Sequence, residues 1–438
     1  MTPRQAALRA LQHVQQEGAY STLELDAVLR LAGFSGRDKA FTSTLFYGTL
    51  ERRLTLDFCI SLCANRELDT LDPTVREILR LGAYQLLFLQ GVPARAAISE
   101  SVNLARQSGM GRAAGFINAV LRRLSQLGDI PYPNREKKPE SYLSVRYSCP
   151  KWLAKYLCKT YGEALAEEIL SSFLGAPPVY LRVNSQKTTP QKLIRLLELQ
   201  GLDAAETPVP GALRLEHTAA LTQSPLFAEG LFHVQDLSSQ LCALALGAQK
   251  GMRVLDVCAA PGGKSFTIAQ MMEDTGEVCS CDLHEHRVQL IRQGARRLSL
   301  SCIVPMVRDA REPWERQFDR VLCDVPCSGL GVVRRKPEIK YQSRQACQEL
   351  PALQLSILQN AAGAVKPGGV LVYSTCTLCK EENEGVVGEF LQKNKEFEIE
   401  KLPKILYDYG IGSSWVTMLP NSQGPDGFFV CRMKKIGE

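Results

Sequence analysis

The sequence predicts a multi-domain chain: an all-α helical domain, a small α/β subdomain, and an α/β domain of the Rossmann-like, doubly wound kind. Three observations predict it. Over roughly the first 128 residues apolar side chains recur at helical spacing, with little strand-like alternation. From about residue 231 onward, short strand-like runs alternate with helical segments. Between these lies a stretch that mixes both patterns. A length of 438 residues fits two or three domains.

The helical domain is assigned to residues 1–130. Ala7, Leu8, Leu11 and Val14 form one apolar stripe; Val75, Ile78, Leu79 and Leu86 form another after Pro73, a residue suited to a first helical turn. Phe116, Val120, Leu121 and Leu124 form a third. A linker at 131–140 follows from the run DIPYPNREKKPE at 129–140, which holds three prolines and several charges. Residues 141–230 are read as the small α/β subdomain, with a helix over 151–173 and strand-like runs at 180–183 and 213–215. Residues 231–438 form the large α/β domain, its strands expected at 252–257, 278–283, 302–307, 320–325 and 370–374. Strands alternating with helices imply βαβ units and a mainly parallel sheet, and such sheets bind ligands beyond the carboxyl ends of their strands.

Composition narrows the class. Hydrophobic residues at 45% and charged residues at 22% exclude a mainly disordered or collagenous chain. A net charge of +6 is too small to imply nucleic acid by itself. Between Ser101 and Glu140, however, seven basic residues face three acids, so four of the six excess charges lie there. That stretch reads either as a solvated face or as a phosphate-contacting edge. Fifteen scattered cysteines resemble no secreted disulfide scaffold and fit a reducing compartment. The amino terminus lacks a signal-peptide core, and the apolar stretch at 83–89 is too short to span a bilayer. A cytoplasmic protein without a membrane partner, and a monomer, are expected.

The run from Met252 to Ser265, strand then Gly-rich turn then helix, is the expected cofactor loop. It lacks the spacing of both the Walker loop and the dinucleotide fingerprint. Four carboxylates, Asp256, Asp282, Asp309 and Asp324, fall at or near successive strand ends. Together they suit a ligand with a ribose, an adenine amino group and a sulfonium, which describes S-adenosylmethionine. A dinucleotide pyrophosphate would be repelled by them. Two cysteines, Cys327 in Asp324-Val-Pro-Cys327 and Cys376 in Ser374-Thr-Cys376, follow the fourth and fifth strands and so face the same crevice. Cys279, Cys281, Cys302 and Cys323 lie inside strand patterns and are read as inert. Cys376 and Cys379 have a Cys-x-x-Cys spacing, but a zinc site would need two further ligands and histidine occurs only five times, so no metal is expected. Two thiols beside a methyl donor suit the methylation of cytosine at C5: a thiolate adds to C6, C5 becomes nucleophilic, and a second group assists release.

These residues resemble the RNA cytosine-C5 methyltransferases that carry two catalytic cysteines. Four segments carry the resemblance: 256–265, 324–329, 374–376 with Glu382-Asn383-Glu384, and Asp426-Gly-Phe-Phe429. The segment from His233 to Ser239 also resembles that family's approach to the loop. The helical domain resembles the NusB-like RNA-binding domain of the bacterial 16S ribosomal RNA members. The resemblance implies Cys376 as nucleophile, Cys327 as the release residue, and Asp324 beside cofactor and target base. It places Cys258, Ala259, Ala260, Pro261, Gly262, Gly263 and Lys264 along the methionine and ribose side of S-adenosylmethionine, with Asp282 on the ribose, Asp309 near the adenine, and Arg287 in the same cofactor set. Val325 stands where alanine is common and Lys380 where proline is common. The implied substrate and partner is 16S ribosomal RNA; transfer RNA, or an inactive RNA-binding factor, are the alternatives.

Directly after Cys327, Arg334, Arg335, Lys336 and Lys340 are expected to contact RNA phosphates, which position without reading sequence. Tyr341 reads equally as a stacking platform or as core.

Overall fold

The computed structural model describes residues 1–17, 21–215, 221–422 and 424–437. The chain forms two compact units: Met1–Ala176 with Val333–Arg344, and Pro177–Val332 with Gln345–Glu438.

The first unit is helical. Asp72 caps the helix Pro73–Phe88 by accepting from the Thr74 amide at 2.8 Å, and Asn65 ends the helix Arg53–Ala64 in the left-handed conformation. The three apolar stripes expected from the sequence converge in one core: Leu11, Ile78, Leu79 and Leu121 are essentially inaccessible, and Leu45, Phe46 and Leu56 join them. Three further helices, Pro139–Arg146, Lys151–Tyr161 and Glu163–Ser172, belong to this unit, which therefore runs past residue 130 to Ala176. One polar network lies inside it. Arg80 grips both oxygens of Asp57, at 2.6 and 2.7 Å, and donates to Glu77. Burial pushes the Glu77 carboxyl up, and Arg80 opposes that. Removing one partner of a buried ion pair strands the other charge, so Arg80→Leu is expected to destabilise the first unit by about 3–5 kcal/mol. Urea unfolding followed by circular dichroism measures it; an unchanged midpoint would exclude a structural role for this network.

The segment Val333–Arg344 packs as part of this helical unit. Lys340 is fully buried and its Nζ donates to the Glu51 carbonyl at 2.7 Å; burial lowers its ammonium pKa to about 8. The Tyr341 hydroxyl donates to the Leu50 carbonyl at 2.9 Å, and the Arg53 guanidinium stacks 3.7 Å from the centre of its ring. Glu338 accepts from the Ser21 amide at 3.1 Å. These contacts take Lys340 and Tyr341 out of the expected RNA-facing cluster. Lys340 is a structural residue rather than a phosphate contact, Tyr341 is core, Arg334 is buried as well, and Arg335 and Lys336 are half-buried.

The second unit holds two sheets. The smaller contains β1 (Val179–Val183), β2 (Ala204–Glu206), β3 (Ala212–Leu215) and β4 (Phe232–Val234), antiparallel in the order β2-β3-β1-β4. The larger contains β5 (Arg253–Asp256), β6 (Glu277–Asp282), β7 (Ile303–Val307), β8 (Phe318–Asp324), β9 (Val365–Thr375), β10 (Phe397–Ile399), β11 (Val416–Met418) and β12 (Phe428–Lys435). Its order is β10-β12-β9-β8-β5-β6-β7, with β11 on β12. β5 through β9 run parallel, joined by helices such as Gly263–Met271, Glu285–Leu298 and Leu350–Gly363; β12 returns antiparallel against β9. After β5 the chain winds outward through β6 and β7, then restarts on the other side at β8. The strand order thus reverses between β5 and β8, where a doubly wound sheet opens its ligand crevice at the carboxyl ends.

Candidate active site

At that reversal β5 ends in Asp256 and the chain makes a tight turn into the helix Gly263–Met271. The Ala259 amide donates to the Cys281 carbonyl at 2.7 Å, and the Gly262 amide to the Ala259 carbonyl at 2.8 Å; the Ala260–Pro261 bond is cis. Gly262 has φ of 110°, and a β-carbon there would lie 2.4 Å from the Phe266 ring, so only glycine fits. Asp256 lies beneath the turn, fully buried. It accepts from Ser265 Oγ at 2.8 Å, which accepts from Ser280 Oγ at 2.8 Å. Burial pushes its carboxyl up to about 7, against the pull of the Ser265 hydrogen bond. Asp256 is thus a support of the loop, which corrects the expectation that all four strand-end carboxylates face a ligand.

The other three stand around the turn. Asp282 ends β6; Arg287 lies 3.2 Å from it and also donates to the Ala260 carbonyl at 3.0 Å, fixing acid and turn together. Asp309, just past β7, is held down at about 2 by the Arg311 side chain and amide. Asp324 ends β8 and accepts from Lys264 Nζ at 2.7 Å and Ser374 Oγ at 2.8 Å. Burial works against the Lys264 charge, but Asp324, with Cys242 and Asp256 beside it, holds the ammonium above the usual lysine range. Lys264 also lies 4.9 Å from the centre of the Phe428 ring. Three acceptor carboxylates around a turn rich in backbone N–H groups form a donor set that suits a ligand with hydroxyls, an amino group and a positive centre.

The two cysteines meet here. The Val325 amide donates to the Ser374 carbonyl at 3.1 Å, extending the β8–β9 pairing so that both strands open into adjacent turns. Cys327 Sγ and Cys376 Sγ stand 3.2 Å apart, and the Cys376 amide donates to Cys327 Sγ at 3.3 Å. The Gly331 amide closes the arrangement on the Cys376 carbonyl at 2.9 Å. Both thiols are half-buried. The hydrogen bond shared with Cys376, then burial, pushes the Cys327 thiol well up, so Cys327 rests protonated. Cys279, Cys281 and Cys323 are buried within the sheet.

The supports of this pair carry little signal in the sequence: Glu382 and Asn383 stand out only within the segment that carries the resemblance, and Gln354 belongs to no motif. Glu382 is fully buried and accepts from the Ser328 amide at 2.9 Å, from Ser328 Oγ, and from Gln354 Nε2 at 2.8 Å. Asn383 accepts from Thr375 Oγ1 and donates to the Thr377 carbonyl at 3.1 Å.

Comparison with known proteins places this architecture. A family profile described as 16S rRNA methyltransferase RsmB/F matches residues 243–434. The NusB family matches residues 1–126, and a ferredoxin-like domain of RsmF/B-like methyltransferases matches residues 149–222. The chain is 39% identical over 449 residues to the "Probable ribosomal RNA small subunit methyltransferase B" of Bacillus subtilis (strain 168), covering 99% of both. Among solved structures, PH0851 matches over 99% of both chains with TM-score 0.85 at 24% identity, a likeness of fold. A methyltransferase homolog protein from Pyrococcus horikoshii is 28% identical with TM-score 0.59, over 67% of this chain and 98% of that one.

Proposed function

The chain belongs to the RsmB/F family of 16S rRNA methyltransferases, and from that membership we propose that it methylates C5 of a cytosine in 16S ribosomal RNA, with S-adenosylmethionine as donor. The observation that carries this reading is the thiol pair, 3.2 Å apart at the sheet's ligand edge.

S-adenosylmethionine, when bound, supplies an electrophilic methyl group. The residues present fit it. The segment from Cys258 to Lys264 would line its methionine and ribose side, Asp282 would take the ribose hydroxyls, and Asp309 would take the adenine amino group. Arg287 fixes Asp282 against the turn, and Lys264 holds Asp324 at the junction of donor and base. The target base leaves its stack to enter. The Cys376 thiolate adds to C6, forming the S–C6 bond and moving the ring's electron pair toward C5. Once C5 carries the methyl group, the electron pair of its C5–H bond re-forms the C5–C6 double bond and expels Cys376 as a thiolate. Cys327, whose hydrogen bond to the free Cys376 thiol is gone in the adduct, gives up its own proton to solvent and takes the C5 proton. This splits one difficult substitution into two accessible steps.

The test is methyl transfer from labelled S-adenosylmethionine to 16S ribosomal RNA, with transfer RNA in a parallel reaction. Nucleoside digestion is expected to place the label in 5-methylcytidine from ribosomal RNA; label in another nucleoside, or in transfer RNA alone, contradicts the reading. Asp282→Ala is expected to weaken S-adenosylmethionine binding by about 10–100-fold, as expected when a charged hydrogen-bond acceptor is lost. Isothermal calorimetry measures it, and an unchanged affinity removes Asp282 from the cofactor set.

A further inference from the structure

We propose that Glu382 is a positioning residue: its carboxylate sets the Cys327 turn against the Cys376 turn, and so fixes the two thiols at reacting distance. The inference rests on the cysteine-pair reading given above and adds a residue that acts through both.

Glu382 has no access to solvent. Its side chain faces a backbone amide, a hydroxyl and a side-chain amide: Ser328 N at 2.9 Å on Oε2, Ser328 Oγ on Oε1, and Gln354 Nε2 at 2.8 Å on Oε2. Both of its oxygens are engaged and no water reaches them, so a shift of any of these partners leaves a buried polar atom unsatisfied and is resisted.

What the donors belong to gives these contacts their consequence. Ser328 is the residue after Cys327. Gln354 donates both to Glu382 and to the Pro326 carbonyl at 3.0 Å, so the turn is gripped on each side of Cys327. The Glu382 carbonyl accepts from the Tyr373 hydroxyl at 2.6 Å, anchoring the clamp to β9. The next residue, Asn383, holds Thr375 and Thr377, which flank Cys376. Ser328 Oγ and Thr377 Oγ1 meet at 2.6 Å, joining the two grips. One dipeptide thus holds the neighbours of both thiols, while touching neither sulfur.

Glu382→Gln keeps the shape and replaces one acceptor oxygen by a donor: on the Oε2 side it opposes the Ser328 amide and Gln354, and on the Oε1 side it obliges Ser328 Oγ to accept and turn its proton toward Thr377. A displacement near 1 Å costs a reaction roughly 100-fold. Two readouts test this on the full-length protein. The first is the rate at which diamide closes the Cys327–Cys376 disulfide, two thiols giving up two electrons and two protons to the diazene; linked peptides are counted by mass spectrometry. The second is steady-state methyl transfer. Glu382→Gln is expected to slow disulfide closure at least tenfold and to lower kcat by roughly 100-fold with the KM for S-adenosylmethionine unchanged. Ser328→Ala, which keeps the amide and loses the hydroxyl, is expected to give a smaller change in the same direction, and it decides the matter if Glu382→Gln does not fold. Wild-type closure rate and kcat in a folded variant overturn the proposal while leaving the function intact. Slowed closure in a protein whose wild type transfers no methyl group supports the clamp and overturns the function instead.

Discussion

Cys376→Ala is expected to lower methyl transfer by roughly 10⁴–10⁶-fold, the range seen when a covalent nucleophile is removed from an enzyme. The size follows from the chemistry. C5 of cytosine carries too little electron density to take a methyl group until a nucleophile has added at C6. Among the described residues, Cys376 and Cys327 are the thiols paired at the ligand edge, and Cys327 rests protonated by its hydrogen bond to Cys376 and by burial. Alanine at 376 removes that nucleophile, and Cys327, on the neighbouring turn, is assigned to release rather than to addition, so it is not expected to take over. The variant loses a half-buried side chain that is not a core anchor, so folding and RNA affinity are expected to hold. Single-turnover kinetics on 16S ribosomal RNA, with a filter-binding assay beside it, measure both. Activity within tenfold of wild type would remove Cys376 from the nucleophile's role.

Cys327→Ala is expected to do the reverse of silencing the enzyme: it should form the adduct and fail to release it. Turnover should fall by roughly 10²–10⁴-fold, the worth of a positioned proton-transfer group. Protein should accumulate as a band shifted by covalently bound RNA that survives detergent and heat. The geometry motivates the separation of roles. In the resting protein the two sulfurs share a hydrogen bond at 3.2 Å. When Cys376 is spent on the S–C6 bond, that hydrogen bond changes and the Cys327 thiol is left beside the base. The double variant is expected to give no shifted band, because nothing then adds to C6. Wild-type turnover by Cys327→Ala, or a shifted band from the double variant, would contradict this division.

How much of this was legible depends on how local the signal is. The parallel strands β5, β6, β8 and β9 show in the sequence because a strand buried on both faces is a short apolar run, here closed by Asp256, Asp282, Asp324 and Ser374. The two cysteines were readable for the same reason: each follows such a run. Asp256 looks like its neighbours in sequence, and only the fold shows it folded under the turn onto Ser265. The basic run at 334–340 misled because charge pattern does not distinguish a solvated face from a packed segment. The partner of Lys340 is a carbonyl 289 positions earlier. The Glu382 clamp escaped for a related reason, since Ser328, Gln354 and Tyr373 are scattered along the chain and carry no motif of their own.

On the proposed mechanism Cys376, and not Cys327, forms the bond to the base, and tandem mass spectrometry distinguishes the two sulfurs. A 16S ribosomal RNA fragment with 5-fluorocytosine at the target replaces the departing proton by fluorine, so the adduct cannot resolve and remains attached after methyl transfer. Digestion of protein and RNA is predicted to give a peptide with the methylated fluoropyrimidine on Cys376. Finding the nucleotide on the Cys327 peptide, or no attached nucleotide while ordinary RNA is still methylated, would contradict the account.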